Sequence, residues 1–208
     1  MTRVKVCGVT SVADARMCAE AGVDAIGLNF WPKSVRRCDE DTARAIVAAL
    51  PKSVLVVGVF VDASLDEVVR IRDGVGLGCV QLHGDEPPAV LAALLPHAYK
   101  ALRVKGPDAL LEMARFPGEY LLFDAYVKGM PGGTGETFDW DIAEQAARQR
   151  KLTLAGGLTP TNVAAAVRAV RPYCVDTASG VESVPGVKSP ELVRAFVREA
   201  RSALSPAH

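Results

Sequence analysis

Residues 154–157 read Leu-Ala-Gly-Gly, and residues 175–182 read Val-Asp-Thr-Ala-Ser-Gly-Val-Glu. Each is an apolar run that empties into residues with little or no side chain, whose bare backbone N–H groups can approach and hold a phosphate. At the other end of the chain, residues 3–8 read Arg-Val-Lys-Val-Cys-Gly, a strand-like alternation that delivers a cysteine to a glycine. A nucleophile or base after a first strand, with phosphate cradles after the last two, is the layout of a barrel enzyme acting on a phosphorylated metabolite.

The rest of the chain keeps the rhythm this layout needs. Short β-branched runs occur near residues 3–7, 24–29, 54–60, 78–82, 98–103, 120–124, 151–155 and 173–177. Between them Ala, Leu and Val recur at helical spacing near residues 11–21, 40–49, 64–73, 87–95, 107–115, 139–149, 160–170 and 189–203. Thr10-Ser11 and Asp62-Ala63-Ser64 supply N-cap oxygens, and Thr159-Pro160 sets a proline in a first helical turn. The intervals, roughly 20–30 residues each, are those of βα units, and their number closes a (β/α)8 barrel. An open doubly wound sheet would use the same alternation. Short helices and tight turns leave no chain for its extra layer, so the expectation is an α/β fold: a TIM barrel with residues 1–208 as one domain and phosphate bound at the ends of strands seven and eight.

Composition narrows the partners. Lys plus Arg equals Asp plus Glu at 24 each, so no net field recruits nucleic acid or an acidic membrane, and any anion is bound locally. There is no basic-then-apolar leader pattern and no apolar stretch of spanning length, which sets the expectation of a cytoplasmic protein. Five scattered cysteines without C-x-x-C pairs suit a reducing compartment, and His83, His97 and His208 lack metal-ligand spacing. No metal is expected. The expected partner is a phosphorylated small molecule, and monomer and homodimer stay open.

In such a barrel, chemistry sits just past each strand. Cys7 has Lys5 two residues earlier on the same strand face, and a neighbouring ammonium lowers a thiol pKa. Lys5 is itself a candidate for a Schiff base or for a buried ion pair. Asp124 ends Tyr120-Leu-Leu-Phe-Asp124, where large apolar bodies deliver one carboxyl group to a strand end; its expected pKa is raised, suiting proton donation. Cys7 and Asp124, on strands one and six, form an acid–base pair across the mouth. After Asp124 the longest loop, 125–137, carries Lys128-Gly-Met-Pro-Gly-Gly-Thr-Gly135, with Gly132 and Gly133, and reads as a lid. Gly156-Gly157 opens the seventh helix, and Ser179-Gly180 opens a short turn before the eighth. Arg36, with Arg37 and Lys33 as rivals, is placed in the second loop to grip a carboxylate. His83, in Gln81-Leu-His-Gly-Asp-Glu86, has no evident partner in sequence and reads as a lining residue.

These residues together resemble one family, the phosphoribosylanthranilate isomerases of the third step of tryptophan biosynthesis. The resemblance runs nearly end to end, through Lys5-Val-Cys-Gly-Val-Thr10, Gln81-Leu-His-Gly-Asp-Glu86, Gly132-Gly-Thr-Gly-Glu-Thr-Phe-Asp-Trp140, Ala155-Gly-Gly-Leu-Thr-Pro-Thr-Asn-Val163 and Asp176-Thr-Ala-Ser-Gly-Val-Glu182. It implies that Cys7 is the general base and Asp124 the general acid of a cofactor-free Amadori rearrangement. It also implies that Arg36 holds the anthranilate carboxylate, and that the Gly156, Gly157, Ser179 and Gly180 amides hold the 5-phosphate. Two departures stand out: Ala178 replaces a serine of the family's Asp-x-Ser-Ser-Gly pattern, and the second loop carries Trp31 and a doubled Arg36-Arg37. Two other classes fit parts of the pattern: a Schiff-base aldolase using Lys5, and a phosphometabolite-binding protein in which Cys7 and Asp124 are incidental.

Overall fold

The computed structural model describes residues 1–104, 106–124 and 140–204. Strands β1 (Arg3–Cys7), β2 (Ala25–Asn29), β3 (Leu55–Phe60), β4 (Cys79–Leu82), β5 (Ala98–Arg103), β6 (Tyr120–Asp124), β7 (Lys151–Ala155) and β8 (Cys174–Thr177) form a closed parallel barrel. Helices α1 (Val12–Glu20), α2 (Glu40–Ala49), α3 (Leu65–Val75), α4 (Pro88–Leu94), α5 (Asp108–Arg115), α6 (Trp140–Gln149), α7 (Val163–Val170) and α8 (Pro190–Ser202) alternate with the strands. Pairing of β1 with β8, with Lys5 opposite Asp176, rules out the open sheet. Among the described residues no helix is long and apolar enough to cross a membrane.

Local chemistry accounts for the boundaries. Ser11 and Ser64 cap α1 and α3 by accepting the N–H groups of Asp14 and Glu67, as the sequence suggests, and Asp39 and Ser189 do the same for α2 and α8. One boundary differs from expectation. The apolar spacing predicts the seventh helix from residue 160, yet α7 begins at Val163. Asn162 takes the Thr159 N–H on its side-chain oxygen at 2.8 Å and donates to the Gly157 carbonyl at 3.0 Å, folding 157–162 into a turn. Gly156-Gly157 therefore lies in a loop ahead of the helix and does not open it. After β8 comes the short turn expected at Ser179-Gly180, a 3₁₀ turn over Ser179–Val181; the second difference is the hairpin of β9 (Glu182–Val184) and β10 (Val187–Lys188) that follows it.

Alternation along each strand divides the core. Val4 and Val6 are fully buried in the layer shared with the helices. The opposite face of the strands fills the barrel, where Ala25, Val57, Tyr99, Ala101, Leu122 and Ala155 cluster. Polar groups share that interior, with Lys5, Gln81, Thr153 and Asp176 all buried. The apolar packing stiffens the strands that end at the mouth.

Candidate active site

At the C-terminal ends of the strands lies a cavity of about 320 Å³. Its lining includes Cys7, Arg36, His83, Asp124, Gly156, Gly157, Ser179 and Gly180, so residues expected from the sequence meet at one place. Lys5 lies below, in the barrel interior. The glycine loop 125–137, with Gly132 and Gly133, lies outside the described residues.

Cys7 is placed by its neighbour across the sheet. Cys7 and Gly27 are register partners, so a side chain at position 27 would lie on the same face as the thiol. A Cβ on Gly27 would sit 2.6 Å from Cys7 Sγ, so the thiol occupies the space a side chain there would take. Beneath it, Lys5 Nζ donates to Asp176 Oδ2 at 2.7 Å, with both groups buried. Burial opposes the Lys5 charge, but Asp176, with smaller help from Cys7 and Tyr99, outweighs it and holds the ammonium well above its ordinary pKa. A lysine held protonated in an ion pair is a poor amine nucleophile, which argues against the Schiff-base reading.

The expected effect of Lys5 on Cys7 is overturned in its net result. Burial pushes the thiol up, Lys5 pulls it back only in part, and the thiol ends above its ordinary value. Asp176, which takes the same ammonium, adds to the effect of burial, because its charge works against a thiolate. Asp176 itself is raised, by burial ahead of the opposing pull of Lys5, and its Oδ1 is buried without a hydrogen-bond partner.

Asp124 ends β6, partly exposed to the mouth, and its Oδ2 lies 3.3 Å from His83 Nε2. The sequence left His83 without a partner; the fold supplies one from a strand 41 positions further along. Gln81 Nε2 lies 2.8 Å from His83 Nδ1 and can only donate, so Nδ1 accepts and the proton of a neutral ring sits on Nε2, facing Asp124. Gln81 is held in turn by the Tyr99 hydroxyl, which donates to its Oε1 at 2.8 Å. The loop carrying His83 is pinned by Glu86, which accepts the N–H groups of Asp62 and Gly84 and pairs with buried Lys100 at 3.0 Å.

Of the three basic candidates in the second loop, only Arg36 is among the described residues lining the cavity. Its stem crosses Gly8, where an added Cβ would meet Arg36 Cδ at 2.5 Å. Its guanidinium donates from Nε and Nη2 to the two oxygens of Glu182 at 2.8 and 2.7 Å. Lys188 Nζ, fully buried, also donates to Glu182, at 2.7 Å. Burial pushes the Glu182 carboxyl up, but the hydrogen bonds and charges of Arg36 and Lys188 prevail and hold it below its ordinary value.

The glycine clusters converge. Gly156 and Gly157 have φ of +101° and +64°, which glycine adopts without strain. At Gly180 an added Cβ would run into the Leu158 carbonyl and lie 2.8 Å from Thr177 Oγ1. Thr177 Oγ1 donates to that carbonyl at 2.7 Å and ties the two loops together. The missing side chain at Gly180 thus lets the loops after β7 and β8 pack closely together beside the cavity.

Sequence reasoning passed over Gln81, Asp176, Glu182 and Lys188 as functional residues. Asp176 was findable, because it alternates with Cys174 on the barrel-facing side of β8; Glu182 and Lys188 meet through a hairpin that no local signal announced. Among the described residues no cluster of His, Cys, Asp or Glu is arranged to hold a metal ion.

Comparison with known proteins finds matches over nearly the whole chain. Residues 4–199 match the family described as N-(5'phosphoribosyl)anthranilate (PRA) isomerase. A relative of that name from Citrifermentans bemidjiense is 49% identical over 201 residues, covering 97% of this chain and 98% of its own. The crystal structure of the phosphoribosyl anthranilate isomerase from Thermotoga maritima superposes with a TM-score of 0.87 at 38% identity, covering 97% of this chain and 100% of that one. A further structure, at TM-score 0.85 and 36% identity with the same coverage, is a phosphoribosyl anthranilate isomerase in complex with reduced 1-(o-carboxyphenylamino)-1-deoxyribulose 5-phosphate.

Proposed function

Because the chain belongs to the N-(5'-phosphoribosyl)anthranilate isomerase family, and is an isomerase of tryptophan biosynthesis, we propose that the barrel mouth performs its Amadori rearrangement with Cys7 as base and Asp124 as acid. Asp124 gives a proton to the furanose ring oxygen, the bond from that oxygen to the first sugar carbon breaks, and the nitrogen lone pair forms an iminium. Cys7 then takes the proton from the second sugar carbon, and the electron pair left behind neutralises the iminium as an enol-amine. Transfer of the enol proton to the first carbon gives 1-(2-carboxyphenylamino)-1-deoxyribulose 5-phosphate. The iminium belongs to the aminosugar, so the chemistry calls for no metal or organic cofactor. A raised thiol pKa suits this sequence, since the iminium charge arises beside Cys7 and favours its thiolate when the base is needed.

The observation that carries the reading is convergence: a thiol, a carboxyl group, one guanidinium and two glycine clusters line one cavity at the end of a barrel. In this reading the Gly156, Gly157, Ser179 and Gly180 amides hold the 5-phosphate, and Arg36 holds the anthranilate carboxylate. His83 keeps Asp124 oriented. Loss of a hydroxyl at Ala178 costs little if phosphate is held by backbone N–H groups. The barrel of residues 1–208 acts as one domain.

The test is to generate phosphoribosylanthranilate in situ and follow the decay of its fluorescence. Cys7→Ala and Asp124→Asn should each lower turnover by about 10²–10⁴ while product-analogue binding persists. Decay at the spontaneous rate with folded wild-type protein would overturn the reading.

A further inference from the structure

We propose that Glu182, backed by Lys188, is the positioning residue that makes the site select an aryl group bearing a carboxylate. The inference rests on the reading of Arg36 given above and deepens it. A loop arginine on a flexible stem recognises a carboxylate well only if its planar fork is held in one orientation. Glu182 provides that hold. It accepts from Nε at 2.8 Å and from Nη2 at 2.7 Å, so the carboxylate grips the guanidinium by its inner edge. Of the five N–H donors of a guanidinium, those on Nη1 and the second one on Nη2 remain. They form the end of the fork, the edge that takes another carboxylate in bidentate fashion.

Lys188 makes this arrangement usable. A carboxylate paired with Arg36 alone would cancel its charge, in a cavity whose lining already carries Asp124 and Asp176. Lys188, fully buried, adds a second positive charge on Glu182 at 2.7 Å, so the triad keeps a net charge of plus one facing the ligand. The same ammonium donates to the Ala178 carbonyl at 3.1 Å, next to the Ser179-Gly180 cradle. One buried side chain thus sets the carboxylate grip against the phosphate cradle, and a substrate with two anionic ends is matched by two sites held at a fixed separation.

The test uses two substrates: the natural aminosugar phosphate and an analogue prepared from aniline, which lacks the carboxylate. The ratio of their kcat/KM values measures carboxylate discrimination. Glu182→Gln leaves Lys188 buried without its counter-charge. The charge-balanced double variant Glu182→Gln with Lys188→Met is therefore measured beside it, each checked for native circular dichroism. Arg36→Ala should collapse the ratio. The Glu182 variants should lower it about tenfold, chiefly through KM of the carboxylated substrate, and should change it no further in an Arg36→Ala background. Equal losses on both substrates, a drop that persists without Arg36, or a ratio that rises because Glu182 competes with substrate would each overturn the inference. An unchanged ratio in Arg36→Ala would instead remove the carboxylate role of Arg36 itself, and this inference with it.

Discussion

Gly27→Ala is the sharpest perturbation the structure offers, because it touches the proposed base without altering any group that reacts. The backbone at Gly27 is not in the left-handed region, so alanine meets no conformational strain there. The new methyl would lie 2.6 Å from Cys7 Sγ, 3.1 Å from its Cα and 3.2 Å from its Cβ. Comfortable contacts between such atoms begin near about 3.5 Å, so the sulfur must move by about 1 Å. Rotation of the thiol relieves the first contact but not the one to Cα, so β1 and β2 also part slightly. A displacement of about 1 Å at a reacting group costs about 10²-fold in rate, and overpacking of this size costs about 1–3 kcal/mol in stability. The assay is kcat/KM from fluorescence decay, paired with urea unfolding. Adding Cys7→Ala to Gly27→Ala should recover part of the stability, since the sulfur is gone, and should lower the rate no further than Cys7→Ala alone. Wild-type kcat/KM in folded Gly27→Ala would refute the claim that thiol position limits the reaction.

Two other outcomes follow from the buried charges. Lys5→Met leaves Asp176 buried with neither oxygen paired and should cost about 3–5 kcal/mol in urea unfolding near neutral pH. The Asp176 carboxyl, already raised by burial, rises further without Lys5; a group raised in the folded state favours folding at low pH and loses that contribution as pH climbs through its folded pKa, so the deficit should shrink on acidification. A deficit that is small, or constant between pH 5 and 8, would contradict this assignment. For Cys7, burial places the thiol above its ordinary range, so the thiolate fraction of free enzyme grows with pH. The rising limb of log kcat/KM should therefore extend beyond the usual thiol value of about 8.5, and a plateau already reached at pH 7 would contradict Cys7 as the group that titrates.

Much of the barrel was legible because its signals are local. Runs such as Leu55–Phe60 and Leu152–Leu154 are β-branched or apolar and end at small or polar residues, and the strands lie within a residue of the positions their composition indicated. Helix starts were legible where a cap oxygen preceded the run, as at Ser11 and Ser64. The start of α7 was not, because Pro160 sits as well in a turn as in a first helical turn, and the Asn162 side chain decides between them. The hairpin of β9 and β10 escaped notice because two or three residues per strand carry no periodicity.

What the sequence determined alone was the alternation of strands and helices and which small or reactive residues follow each strand, since composition and period act over neighbouring residues. Only closure of the barrel decided who meets whom. It set Asp124 beside His83, gave Arg36 to Glu182 across 146 positions, and shared Lys5 between Asp176 and the field of Cys7. The thiol rose where its neighbour in sequence suggested a fall, because a pKa answers to burial and to every charge nearby in space, and those are properties of the folded chain.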